Sequence, residues 1–246
     1  MVMSNTGKFL NSEAKYSPKY IGDIIFPNDY VRKVVTAYSS GEVTRPLILC
    51  GRNGTGKSLL AKLIPQAIEK MDQVVVTMIK AYELNSDHEV DRLLTKNKQF
   101  DILFTTNGQR YNYYIIDEMN GLIKGRNAFR VALDKFQGTD LTIITTNEVA
   151  KIDKGIRSRC EVLEVPACKP DIFFPHAKKI MAGEGACIDD TALLNALEAT
   201  YEQTPDNRSY YKLLDRLFRE YYLMHLEQDS KFYQVPVTLK AMEEMI

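Results

Sequence analysis

The chain has 246 residues, more than a typical single domain and fewer than two full ones, so one large domain with a smaller appendage is expected. Hydrophobic residues make up 45% and charged residues 26%, no segment is long and apolar enough to span a bilayer, and the polar start "MVMSNTGKFLNSEAKYSPKY" lacks a signal peptide's apolar block, so the expected compartment is the cytoplasm. Thirty-two basic side chains balance thirty-two acidic ones, which excludes nucleic-acid binding by bulk charge; four separated cysteines and three scattered histidines give neither a disulfide framework nor a zinc spacing.

Taken in chain order, "RPLILCGRNGTGKSLLAKLIPQAIEKM" reads as a short apolar strand at Leu47 to Cys50, a glycine-rich turn, and an amphipathic helix from Lys57 to about Met71. Further β-branched runs follow at Val74 to Ile79, Tyr111 to Asp117, Leu141 to Thr146 and Cys160 to Val165, separated by helical or polar stretches. That alternation predicts a mainly parallel five-stranded sheet covered on both faces, an α/β fold. From about Pro166 the pattern becomes helical: Asp171 to Glu184, Asp189 to Tyr201 and Asp206 to about Glu227, with breaks at "GEGACID" and "QTPDN". The domains expected are therefore 1–166 and 167–228, with a tail at 229–246 whose sequence suggests a short extended piece and one helix.

"GRNGTGKS" fits the phosphate-loop pattern GxxxxGK[S/T] at Gly51, Gly56, Lys57 and Ser58. Its glycines permit successive N–H groups to point inward around a β-phosphate at a helix's positive end. Lys57 would reach the β and γ oxygens, and the Ser58 hydroxyl would ligate Mg²⁺. "YYIIDEMN" sets Asp117 and Glu118 at the end of a buried strand, where ligands bind in open α/β sheets. The aspartate suits a Mg²⁺ water shell, and the glutamate suits orienting a water for attack on the γ-phosphate. "TTNE" would bring Asn147 beside the acids if the two strands are neighbours. Arg157 and Arg159, before an edge-like strand, lie on the far side of the sheet from the loop, so a role at a phosphate requires a neighbouring subunit's site.

In the order "GRNGTGKS", "IIDE", "TTN", "SRC", the chain resembles the clamp-loader branch of the AAA+ ATPases, which includes replication factor C small subunits, bacterial loader subunits and phage counterparts. The resemblance extends to "EAKYSPKYIGDIIFP" (Glu13 to Pro27), similar to the family's segment lining the adenine pocket, with Ser17 where arginine is frequent. It also covers "YELNSD" at Tyr82 to Asp87, the lid-like "KKIMAGEGACIDDTALLNAL", and "PDNRSYYKLLD", whose Arg208 corresponds to a second sensor. It implies a P-loop NTPase core with a helical lid, using ATP and Mg²⁺. The implied nucleotide-contacting set is Tyr16, Pro18 and Ile21 with Gly51, Asn53, Gly54, Thr55, Gly56, Lys57, Ser58 and Leu59. Ser58 and Asp117 are the implied metal residues. Lys57, Asp117, Glu118, Asn147 and Arg208 would serve the chain's own ATP, and Arg159 would enter an adjoining subunit's site as an arginine finger.

Two departures stand out: the chain stops soon after the lid, so the family's helical collar is not expected, and Arg126 replaces a frequent glutamine. Between Met119 and Gln137, Lys124, Arg126, Arg130 and Lys135 against Asp134 give a local net charge of plus three, four minus one. With the resemblance, Lys124, Arg126 and Arg130 are candidates for sequence-independent contacts to a DNA backbone. The activity implied is ATP hydrolysis within an oligomer that handles a sliding clamp and DNA in replication. Two alternatives stay open, a helicase loader or mobile-element target selector, and a nucleotide switch that does not hydrolyse.

Overall fold

The computed structural model describes residues 11–96, 108–120, 124–135 and 138–229. Chain contacts divide them into an α/β unit, Pro18–Ala167, and a helical unit formed by the residues up to Ser17 together with those from Cys168 onward.

Five strands build the α/β unit: β1 (Leu47–Cys50), β2 (Val76–Lys80), β3 (Asn112–Asp117), β4 (Asp140–Thr146) and β5 (Glu161–Glu164). They lie in the order β2-β3-β4-β1-β5, with every pairing parallel. Each strand read from the sequence is present, with ends displaced by up to two residues. Period-two alternation divides the strands between two cores, one on each face. Ile48, Ile79, Tyr114, Ile116 and Ile144 join one cluster with Phe129 and Leu133; Leu47, Leu49, Tyr113, Ile115 and Ile143 join the other with Val31, Val35, Leu60 and Ile64. Burial on both faces explains why β1 reads as an unbroken apolar run, and every residue of β4 is likewise buried, its threonines included.

The helical unit begins with α1 (Ser12–Lys15). Within the α/β unit follow α2 (Asp29–Ser39), α3 (Lys57–Glu69), α4 (Asp87–Asp91), α5 (Arg126–Lys135) and α6 (Lys154–Arg157); the helical unit resumes with α7 (Pro170–Gly183), α8 (Asp190–Gln203) and α9 (Asn207–Asp229). Side chains cap most of these where the sequence offers them: Asn11 for α1, Asn28 for α2, Ser86 for α4, Asp153 for α6 and Asp189 for α8. The helical unit packs Phe173, Ala177, Ile180, Leu193, Leu197, Tyr210 and Leu214 to the interior.

By chain contacts the division falls between Ala167 and Cys168. The N-terminus departs from expectation. Residues 11–17 pack with the helical unit, because the Ser12 N–H donates to Asp215 Oδ1 (2.9 Å), the Ser12 hydroxyl donates to the Tyr211 carbonyl (2.9 Å), and Lys15 pairs with Glu184 (2.5 Å). The tail from residue 230, with its expected strand-like piece and helix, lies outside the described residues.

Candidate nucleotide site

β1 ends at Cys50 and the chain turns through Gly51, Gly54 and Gly56, with φ of 145°, 77° and 93°, before α3 begins at Lys57. Gly51 is required twice over: its φ is left-handed, and a Cβ there would lie 2.4 Å from the Val165 carbonyl oxygen. That close approach arises because the Val165 N–H donates to the Cys50 carbonyl (2.7 Å), so the exit of β5 presses on the start of the loop. Gly56 occupies the N-cap of α3 and brings no capping side chain, unlike Asn28 or Asp153. The first turn of α3 therefore starts without a side-chain cap, the state in which a helix N-terminus can receive an anion.

Inside the loop the Lys57 ammonium donates to the carbonyls of Gly51 (2.8 Å) and Arg52 (2.5 Å). Burial holds it below the usual lysine range. Thr55 is buried beside it, its hydroxyl donating to the Arg52 carbonyl (3.1 Å). Ser58, one residue into α3, donates to Asp117 Oδ1 (3.0 Å). The sheet order explains that meeting: β4 alone separates β1 from β3, so all three C-terminal ends lie along one edge.

Asp117 is buried, and its carboxylate accepts from Ser58, from the Thr145 hydroxyl (2.7 Å) and from the Lys80 ammonium (2.6 Å). Burial alone raises its pKa; the donors from Lys80, Thr145 and Ser58 outweigh it and hold the carboxyl below the ordinary aspartate range. Glu118 follows with φ 57°, a left-handed backbone for a residue with a side chain. The Glu118 N–H donates to Thr145 Oγ1 (3.0 Å) and the Met119 N–H to the Thr145 carbonyl (2.8 Å), so β4 imposes the bend. Its result is a Glu118 side chain 70% exposed beside a buried Asp117. One acid is thereby built for holding charge and the other for meeting solvent.

A serine hydroxyl next to an ionised carboxylate is a set of hard oxygen donors, the chemistry Mg²⁺ takes when phosphate oxygens and water complete its shell. Ser58 and Asp117 thus fit the metal. Asn147 follows β4, the immediate neighbour of β3. Its N–H and the Thr146 hydroxyl both donate to Asn120 Oδ1, 3.1 and 3.3 Å. No sequence motif gives Asn120, Thr145 or Lys80 a role. Lys80 and Thr145 are legible only through register, since Lys80 pairs with Asp117 across β2 and β3 while Thr145 lies on the strand next to the acids.

Ile21 packs against the core containing Leu60 and Ile64, beside the loop's helix; Pro18 is half-buried in the same unit. Tyr16 belongs to the helical unit, where its hydroxyl donates to Glu184 and burial, with that carboxylate, pushes its pKa up to about 12. Arg208 opens α9 and pairs with Glu13 at 2.9 Å. Arg159 precedes β5, at the opposite edge of the parallel sheet from the phosphate loop. It donates through Nε and Nη2 to the Asp134 carboxylate (2.7 and 2.8 Å) and through Nη1 to the Gly155 carbonyl (2.8 Å). Of the candidate DNA contacts, Lys124 and Arg126 are exposed, whereas Arg130 is engaged by Asp153 at 2.5 Å and is not a free surface cation.

Known proteins agree with this geometry. The AAA family, described as the ATPase family associated with various cellular activities, matches residues 47–166. The chain is 24% identical over 197 residues to DNA polymerase III subunit gamma of Buchnera aphidicola (Schizaphis graminum), covering 73% of this chain and 54% of that protein. Over 189 residues it is 25% identical to the replication factor C small subunit of Picrophilus torridus, covering 76% and 57%. With the probable replication factor C subunit 2 of Dictyostelium discoideum it shares 28% over 183 residues, covering 73% and 53%. It therefore spans about half the length of these relatives. In fold it is similar to the Thermotoga maritima RuvB Holliday junction branch migration motor, with a TM-score of 0.62 and 20% identity over 92% of this chain and 72% of that one. Among the described residues, no helix is long and apolar enough to cross a membrane. Phosphate loop, acid pair and sheet order fit the AAA ATPase family model that matches residues 47–166, and across a wider stretch the chain is similar to replication clamp-loader subunits.

Proposed function

We propose that the chain binds ATP with Mg²⁺ at the end of β1 and hydrolyses it in contact with a neighbouring subunit, as an oligomeric clamp-loader-like component handling a sliding clamp and DNA in replication. The observation carrying this reading is the junction of Ser58, Asp117 and Glu118, with Ser58 Oγ 3.0 Å from Asp117 and an exposed carboxylate next in sequence. Lys57 supplies fixed positive charge to the β and γ phosphates, exchanging its two carbonyl partners for phosphate oxygens. Ser58 and Asp117 would hold Mg²⁺, whose bound charge offsets that of the phosphates. Glu118, outside the desolvated pocket of Asp117, orients a water and takes up its proton. Asn147 adds a neutral donor near the attacking water. Pro18 and Ile21, in the same unit as the phosphate loop, line the adenine side.

Arg159 cannot serve the loop of its own chain from the opposite sheet edge, which supports a role in a neighbour's site. The test measures nucleotide affinity and turnover of Arg159→Ala with and without primed DNA and a sliding clamp. Near-normal affinity with turnover reduced by roughly 10³-fold, the low end for a transferred arginine, supports the reading; full activity in the variant overturns the finger. Absence of turnover in the unaltered chain at every stoichiometry overturns hydrolysis in favour of a nucleotide switch. Stimulation by a helicase or a transposase, and not by a clamp, overturns the client assignment. Lys124 and Arg126 remain the proposed contacts to the DNA backbone, with Arg130 contributing only if it leaves Asp153.

A further inference from the structure

The acid pair already has a cation, and it comes from the chain. Lys80 is the last residue of β2 and the register partner of Asp117, the last residue of β3, so their side chains share one face of the sheet. Its ammonium lies 2.6 Å from Asp117 Oδ2 and 3.9 Å from Glu118 Oε2. The other oxygen of Asp117 accepts from Ser58 and Thr145, so both carboxylate oxygens have partners supplied by the protein. Lys57 does not share this task, being held by the loop carbonyls. Lys80 also has room to leave, because β2 is an edge strand and the lysine side chain is 39% exposed.

We propose that Lys80 is a built-in counter-ion of the metal-binding acids, neutralising Asp117 until Mg²⁺ arrives with the nucleotide and then giving up that carboxylate to the metal. The proposal rests on the ATP–Mg²⁺ reading of this site. A divalent ion beside Ser58 and Asp117 and an ammonium on the same carboxylate repel each other strongly in a partly buried pocket. The ion pair must therefore loosen for the metal to bind, and Lys80 sets how much Mg²⁺ the site demands. Glu118, already within 3.9 Å, is the carboxylate to which the displaced ammonium shifts. That shift links metal loading to the acid that faces the attacking water.

The test titrates Mg²⁺ against binding of a fluorescent N-methylanthraniloyl ATP to the unaltered chain and to Lys80→Met, Lys80→Gln and Lys80→Arg. In the two neutral variants the half-saturating Mg²⁺ concentration falls roughly tenfold, reflecting the relieved repulsion, while Lys80→Arg stays close to the unaltered chain. With EDTA present the neutral variants bind the analogue more weakly, since Asp117 then meets the phosphates with its charge uncompensated. Lys80→Gln retains an N–H donor and covers the case in which Lys80→Met fails to fold. The unfolding midpoint in Mg²⁺ without nucleotide gives a second readout, rising with Mg²⁺ in Lys80→Gln and not in the unaltered chain. An unchanged or increased Mg²⁺ requirement in the neutral variants overturns the counter-ion role while leaving the ATP site intact. No binding by the unaltered chain at any Mg²⁺ concentration overturns both.

Discussion

Thr145 shows how much one side chain can determine. Its hydroxyl donates to Asp117 and accepts from the Glu118 N–H, so it orients the metal-side acid and stabilises the left-handed bend that turns the water-side acid outward. A left-handed non-glycine residue costs on the order of 1 kcal/mol, which these bonds offset. Thr145→Val keeps the shape and removes both, leaving a buried carboxylate short of a donor; stability should fall by roughly 1–3 kcal/mol, measured by urea unfolding. Glu118→Gln leaves the bend and the metal donors in place, so nucleotide affinity should hold while steady-state turnover is lost. Gly51→Ala tests the loop's geometry: its Cβ meets the Val165 carbonyl, and both nucleotide affinity and thermal stability should drop. The glycines, Lys57, Ser58 and the acid pair were readable because their chemistry demands those residue types at fixed spacing. Thr145 and Lys80 were not, because threonine and lysine are ordinary residues until the strand register places them against Asp117.

At the scale of elements, α5 is joined to the region before β5 by two ion pairs of opposite sense, Arg130 with Asp153 and Asp134 with Arg159. Residues 130 and 134 lie one turn apart, so a single face of α5 holds both the N-cap residue of α6 and the proposed finger. For Arg159 to reach a neighbour's phosphate it must release Asp134. Asp134→Asn weakens that hold without removing a catalytic group, and turnover plotted against protein concentration should reach half its maximum at lower concentration than in the unaltered chain. An unchanged curve would show that the pair does not restrain the finger. The basic pattern on this helix was legible as charge, but not that Arg130 is already paired, since Asp153 lies 23 residues away in sequence. In contrast, α3 was legible from its apolar spacing despite Pro65, a residue unfavourable in a helix interior. Leu60, Ala61, Ile64 and Pro65 are all buried, and that packing outweighs the local preference.

At the scale of the whole molecule, acid should act on both units through groups whose folded pKa is depressed. Burial, with Lys179 nearby, holds His176 below the usual histidine range, between Phe173 and Tyr211. In the unfolded chain it takes a proton near pH 6.5, so its contribution is complete above that pH and is lost as pH falls toward its lower folded value. Asp117 in the α/β unit behaves likewise, lower on the scale, near and below the ordinary aspartate range. Urea midpoints should therefore decline as pH falls below about 7, and His176→Gln should flatten that decline while leaving the aspartate-range loss. By itself the sequence determined the α/β alternation, the five strands and the glycine-rich turn between β1 and α3, because local periodicity and residue spacing carry that information. Only the tertiary structure decided that residues 11–17 join the helical unit, that Lys80 and Thr145 grip Asp117, and that Arg159 rests on Asp134. Those facts depend on strand order, register and side chains meeting across long stretches of chain, and no local pattern encodes which distant partner a charge will find.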